Sequence, residues 1–422
     1  MSEHRTWTTS LASQPLAGIR VLEFSHMVMG PSCGMILADL GADVIKVEPS
    51  PNGDNTRRLT GPAIGFFPTF NRNKRSICVD MKNPRGASFV RQLAGKADVL
   101  LENFRPGAMD KLGFGHTAMA ELNPRLVYCS CKGFLPGPYE HRAALDEVVQ
   151  MMGGLAYMTG PPGRPLRAGS SVNDIMGGLF AALAVLAALR ERDVTGRGGL
   201  VQSGLFETNM VLMAQHMARA AIEGEDPPPF GDPNMKKPWP LYDIFDTADE
   251  GEQVFVGCVT ETQWRNFCAA FGLHDLADDP ALKSMTALAE ARPRILEQVG
   301  ALFRSLPKAE LIAKCEELGL PFAPIARPSD LFDDPHLLAS GGLLTTDLDR
   351  TSVASPTLAS AGLPALPIAL PSGRPGLRRQ PPRMGEHGTE IAREVGLSDS
   401  EITALIQSGA LAVPPPADAL SI

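Results

Sequence analysis

The sequence predicts an α/β protein: a mainly parallel sheet covered by helices on both faces, followed by a second, smaller domain. Three observations carry this. Strand-like and helical stretches alternate from Gly18 to Cys131. Ile175 to Leu189 contains no charged or strongly polar side chain, so it reads as a buried helix. Composition then changes sharply over Gly224 to Pro240, with Pro227-Pro-Pro229, Lys236-Lys-Pro238 and Trp239-Pro240, as in a segment crossing to a new domain.

Size and composition permit this plan. A chain of 422 residues accommodates two domains, and 44% hydrophobic with 20% charged residues is ordinary for a soluble globular protein. A net charge of −8 without a dense basic run excludes a general nucleic-acid binder. Met1 to Leu16 is polar and shows no signal peptide. The apolar run of 15 residues at Ile175 to Leu189 is too short to span a bilayer, so no membrane association is expected. The seven cysteines are odd in number and scattered without a C-x-x-C pair. They read as reduced, buried thiols of a cytoplasmic protein, with no metal site.

In chain order, Gly18 to Phe24 is a strand, His26 to Pro31 a Gly/Pro-punctuated turn, Ser32 to Leu40 a helix and Ala42 to Glu48 a second strand. This βαβ unit invites a dinucleotide reading, with Glu48 where a ribose-binding acid would stand. Gly30 and Gly34 do not make G-x-G-x-x-G, and Pro31 occupies the turn, which argues against it. Ser76 to Asp80, Asp98 to Asn103 and Leu126 to Cys131 are further strands, with a helix over Pro84 to Ala94. Ligands of such sheets bind at the carboxyl ends of strands. Lys82, Arg105 and Lys132 at three such ends point to an anionic, phosphate-like ligand. Beyond Thr195-Gly-Arg-Gly-Gly199 a strand leads to Phe206-Glu207, and Asn209 to Ile222 is a Met-rich amphipathic helix. The second domain opens with strands Leu241 to Phe245 and Gln253 to Val259. Helices follow over Thr262 to Phe271, Lys283 to Arg304 and Lys308 to Leu318. Ser355 to Pro382 is a Pro/Ala/Gly-rich return, and two last helices close the chain. The resulting division is a large domain begun by 1–208, a linker 209–240, a small domain 241–335, a return linker 336–380 and the rest of the large domain over 381–422.

Asp174 is the candidate reactive group. It stands where the apolar helix begins, facing unpaired backbone N–H groups and the positive end of the helix dipole. Ser170, Ser171 and Asn173 offer capping side chains of their own, which frees Asp174 from that task. Gly177 and Gly178 let another backbone or a ligand come close. An ionised, partly buried carboxylate beside open space is what a carboxylate nucleophile requires.

The chain resembles the family III coenzyme A transferases, the carnitine-dehydratase/bile-acid-inducible type, over Leu16 to Val413. The likeness rests on Leu16-Ala-Gly-Ile-Arg-Val-Leu-Glu-Phe24, Leu40-Gly-Ala-Asp-Val-Ile-Lys-Val-Glu48, Asn71-Arg-Asn-Lys-Arg-Ser76 and Asn103-Phe-Arg-Pro-Gly107. Leu122-Asn-Pro-Arg-Leu126, Thr195-Gly-Arg-Gly198 and Pro381-Pro-Arg-Met-Gly-Glu-His387 complete it. The resemblance implies a Rossmann-like large domain built from both chain ends, a smaller α+β domain and an interlocked homodimer. It implies CoA transfer from an acyl-CoA to a free carboxylic acid through an aspartyl-CoA thioester on Asp174, with Glu147 as a helper. Coenzyme A and acyl-CoA enter as substrates, with no tightly bound cofactor. The CoA-contacting positions carry over to Val79, Asp80, Met81, Lys82, Asn103, Phe104, Arg105 and Lys111.

Departures narrow the chemistry. The region around Gly231 to Pro240 lacks the glycine run of oxalate-using members, and Val28 replaces their glutamine, which disfavours formate and oxalate. A family arginine falls at Pro49, so that contact is lost. Leu145 stands where racemases carry a histidine, which argues against the alternatives of racemase or isomerase; the retained Asp174 argues against a CoA-binding protein without turnover. Lys236 and Lys237 favour an acceptor with a second carboxylate, such as succinate.

Overall fold

Strands whose side chains are apolar on both faces must lie between two helical layers. The computed structural model describes residues 14–232, 235, 237–348 and 358–414. In it β1 (Arg20–Phe24), β2 (Asp43–Pro49), β3 (Arg75–Val79), β4 (Val99–Glu102), β5 (Val127–Lys132) and β6 (Gly199–Gly204) pair in parallel. Their order, β3-β2-β1-β4-β5-β6, reverses between β1 and β4. In doubly wound sheets ligands bind at that reversal, outside the carboxyl ends of the strands.

Period-two alternation assigns the faces. Val21, Val44, Val99, Leu101, Val127 and Cys129 face the layer that holds the helices Met29–Asp39 and Val172–Thr195. Leu22, Phe24, Ile45, Val47, Ile77 and Leu100 face the helices Pro84–Gly95, Gly388–Glu394 and Asp399–Gln407. The first helix starts at Met29 rather than Ser32. Pro31 is its third residue, where a backbone N–H has no intrahelical acceptor in any case, so the proline is tolerated.

The chain divides into two compact units, Met1–Gly231 with Pro335–Ile422, and Asp232–Asp334. The second unit has an antiparallel sheet of β7 (Leu241–Asp246), β8 (Gln253–Cys258) and β9 (Phe322–Pro324), packed on helices through Trp264, Phe267, Ile295 and Phe303. The single helix read over Lys283 to Arg304 is two, Met285–Glu290 and Arg292–Phe303, because Pro293 cannot extend the first. The helix read over Asn209 to Ile222 runs over Leu205–Glu223 and buries Leu205, Thr208, Asn209 and Met213, so the first part of the stretch 209–240 assigned to a linker is helical. The return stretch contains the antiparallel pair β10 (Leu343–Asp347) and β11 (Ser360–Pro364). Finally β12 (Leu411–Ala412) pairs antiparallel with β3 and extends the large sheet to seven strands.

The polar motif Asn71 to Ser76 holds this assembly together. Arg72 grips buried Asp39, Lys74 bonds Glu23 and the Pro31 carbonyl, and Arg75 bridges Asp43, Glu390 and Glu394. Asn73, at φ 62, accepts the N–H groups of Arg378 and Arg379. Each charge in this group meets its counter-charge or a carbonyl, the condition under which buried charge is tolerated.

Candidate active site

Asp174 is the third residue of the helix Val172–Thr195, where backbone N–H groups lack intrahelical acceptors. The cap is not supplied by Ser170, Ser171 or Asn173, as the sequence led one to expect. Ser171 makes no side-chain cap bond. Instead Asp146 Oδ1, from the start of the helix Asp146–Met152, accepts the N–H of Asn173 at 2.8 Å and of Asp174 at 3.2 Å. Gln150 Nε2 donates to Asp146 Oδ2, while Gln150 Oε1 accepts from Ala168 N at 2.8 Å. One helix thus fixes both the start of the next and the loop leading into it. The Asn173 side chain is fully buried, and among the described residues neither of its polar atoms has a partner.

The Asp174 carboxylate is partly exposed, and among the described residues no donor bonds it. Burial, then the charges of Asp146 and Glu147, push its pKa up to about 7, against the pull of Arg167. The sequence reads an ionised, partly buried carboxylate; with a pKa of about 7 it is mostly ionised only above that pH. The helix N–H groups that would favour its charge bind Asp146 instead. Glu147 is exposed and paired with Arg167, whose Nη2 lies 3.9 Å from Asp146 Oδ2. Two carboxylates and one guanidinium therefore surround Asp174.

Gly177 and Gly178 admit a backbone, not a ligand. A Cβ on Gly178 would stand 2.6 Å from the Met29 carbonyl and from Ser32 Cβ, and one on Gly177 2.7 Å from Met29 Cε. They let the Asp174 helix lie against Met29–Asp39. Its other face is not buried as expected: Ile175, Leu179 and Leu183, each four residues apart, are 40%, 52% and 58% exposed.

The residues read as CoA contacts fall at the carboxyl edge of the sheet in two groups. Val79 ends β3 and Asp80 to Lys82 follow it, while Asn103 to Arg105 follow β4, three strand spacings or roughly 14 Å away. Val79 has no accessible side chain; it lies in the core, and its carbonyl accepts from Ser50 N. Asp80 Oδ1 accepts from Lys82 N, Met81 is half-buried, and the Lys82 side chain is exposed. Asn103 sits at the strand reversal and uses its amide on the β1 turn, accepting from His26 N at 3.1 Å and donating to His26 O at 2.8 Å. Phe104 packs its ring 5.6 Å from that of His26. Arg105 and Lys111 are exposed, Lys111 at the end of the short helix Ala108–Lys111.

Lys132 departs from the reading of a free cation, since its Nζ binds Glu102 at 2.8 Å. Glu48 is no ribose ligand, because Arg57, Ser76 and the Asp54 N–H occupy its buried carboxylate. Lys237 bonds the Tyr242 carbonyl and lies 3.6 Å from Asp243; Lys236 lies outside the described residues. Sequence reasoning missed the capping role of Asp146, the part of Gln150 and the Arg167 pairing. Their signal was only a D-E-x-x-Q sequence and an arginine seven residues before Asp174.

The family model of CoA-transferase family III matches residues 16–388. The chain belongs to CoA-transferase family III. The CoA-transferase is 33% identical over 90% of its length to succinate–glutarate CoA-transferase of Agrobacterium fabrum, covering 96% of that protein. It is 32% identical to an acyl-CoA transferase of Fusarium pseudograminearum, over 95% of this chain and 89% of the relative. A CAIB/BAIF family protein from Brucella suis has a similar structure, with a TM-score of 0.79 at 31% identity, covering 90% of this CoA-transferase and 99% of that chain.

Proposed function

We propose that this CoA-transferase works by covalent catalysis on Asp174, with a dicarboxylic acid such as succinate among its substrates. The observation that carries the nucleophile is the Asp174 carboxylate itself, partly exposed, without a hydrogen-bond donor among the described residues and raised in pKa to about 7. A carboxylate so placed keeps its basicity for attack. An Asp174 oxygen attacks the donor thioester carbonyl, the C–S bond breaks and CoA leaves as thiolate, giving a mixed anhydride. The thiolate attacks the aspartyl carbonyl carbon, the anhydride C–O bond breaks and the donor acid leaves as carboxylate. The acceptor carboxylate then attacks the aspartyl-CoA thioester, and CoA passes to the acceptor by the reverse steps. Glu147 serves as a helper held by Arg167.

Acyl-CoA is a substrate, with no tightly bound cofactor. The exposed cations Lys82, Arg105 and Lys111 meet its phosphates. The dicarboxylate follows from likeness to the Agrobacterium succinate–glutarate enzyme. The apolar stripe Ile175, Leu179 and Leu183, with Leu145 and Met151 also exposed, supports a homodimer; that its chains interlock is carried by the family resemblance alone. The division into a large domain from both chain ends and a smaller one is part of the same reading, as is a cytoplasmic setting for seven unpaired, buried thiols.

Hydroxylamine treatment after incubation with succinyl-CoA tests the nucleophile: a hydroxamate on the peptide bearing Asp174 is expected, and label confined to another peptide overturns the assignment. A panel of mono- and dicarboxylic acids, with oxalate included, reads the acceptor by product mass. Light scattering at low concentration tests the dimer, which an active monomer would exclude.

A further inference from the structure

We infer that Asp146 is a positioning residue that keeps the Asp174 carboxylate uncapped and high in energy, so that acylation of Asp174 relieves a repulsion built into the resting site. This rests on the reading of Asp174 as nucleophile. A carboxylate three residues into a helix ordinarily draws on the free N–H groups and the helix dipole, which stabilise its charge. Here Asp146 Oδ1 accepts those N–H groups from Asn173 and Asp174, and Gln150 fixes its other oxygen. Asp146 is 3% exposed, so its charge is poorly screened.

The charged groups facing Asp174 are Asp146 and Glu147 from one helix and Arg167 from the loop before the Asp174 helix. Arg167 is closer to Glu147 than to Asp146, so it offsets the repulsion only in part. The helix Met29–Asp39, the strands β5 and β6 and the helix Leu205–Glu223 also pack on the Asp174 helix and bring no charge to bear on this carboxylate. The anhydride and the thioester on Asp174 are both neutral at that carbon. Each step that removes the Asp174 charge therefore gains what Asp146 had cost, whereas capping by a neutral group would stabilise the free carboxylate and the covalent adduct more evenly.

Asp146→Asn keeps an acceptor for the two N–H groups and removes the charge. The acid limb of kcat for the full-length enzyme should move down by about one pH unit or more. On the alkaline plateau kcat should fall on the order of tenfold, with KM for succinyl-CoA little changed. A merely structural cap would leave the acid limb where it was. The substitution also turns an amide nitrogen towards Gln150 Nε2, a source of destabilisation unrelated to charge, and two readouts guard against it. The wild-type enzyme must itself show an acid limb near 7; a limb in the ordinary carboxylate range overturns the inference without any variant. A double-mutant cycle of Asp146→Asn and Asp174→Asn in denaturant should show coupling at pH 8 that disappears at pH 5. Absence of coupling at pH 8 overturns the role of Asp146 even where the Asp174 adduct is found. An adduct absent from Asp174 while coupling is present overturns the nucleophile and leaves the electrostatic relation standing.

Discussion

Asp146 and Asp174 compete for one set of helix N–H groups, and Asp146 holds them. Its Oδ1 accepts from the Asp174 backbone at 3.2 Å, while the Asp174 carboxylate has no donor of its own among the described residues. An acid with these neighbours carries a pKa pushed up to about 7. Stability and activity should both register that shift.

Replacing Asp174 by Asn removes a group whose folded-state pKa lies above its unfolded value. Such a group is neutral in both states at pH 3, and costs progressively more as pH rises from about 4 through 7, because the folded state binds the extra proton. Asp174→Asn should thus gain stability relative to wild type between pH 5 and pH 8, while exchange falls on the order of 10³-fold or more. Thermal melts across that pH range, with assays at pH 8, check both. An unchanged stability difference would contradict the raised pKa.

Lys111→Ala removes an exposed cation beside the carboxyl edge of β4. KM for acyl-CoA should rise several-fold with kcat at saturation unchanged, as for loss of uniform binding. The effect should shrink at high salt. An unaltered KM removes Lys111 from the nucleotide site.

Adjacent glycines should respond differently. Gly178→Ala drives a methyl against the Met29 carbonyl and Ser32, which cannot give way, at a cost of about 1–3 kcal/mol. Gly177→Ala meets only the flexible end of Met29 and should cost less. Denaturant melts of the two variants measure the contrast.

Arg57→Leu leaves Glu48, 1% exposed, without its bidentate partner. Ser76, the Asp54 N–H and the nearby charge of Lys46 remain, so the cost should lie at the lower end of the roughly 3–5 kcal/mol for breaking a buried pair. Burial and the lost partner together should raise the Glu48 pKa, so the penalty should lessen towards low pH. Chemical denaturation at pH 7 and pH 5 tests this.

The parallel sheet and its covering helices were legible because period-two apolar strands alternate with helical runs, a pattern set by local sequence. What the sequence left open was decided by contacts distant in sequence. Lys132 looked free at its strand end, and Glu102, on a neighbouring strand, binds it. The amide of Asn103 holds the His26 backbone from 77 residues away. Val79 ends a strand with its side chain facing the core. Pro31 misled the start of a helix by only three residues, since first-turn N–H groups need no partner.

By itself the sequence determined the α/β architecture, the position of Asp174 at a helix start and the polar motif Asn71 to Ser76, because strand period, helix apolarity and residue spacing are local properties. Only the tertiary structure decided which group caps that helix and what charge state Asp174 holds. Asp146 stands 28 residues earlier in the chain, and a hydrogen bond acts over about 3 Å, so both the burial that raises the Asp174 pKa most and the Asp146 charge that adds to it exist only once the two helices have packed.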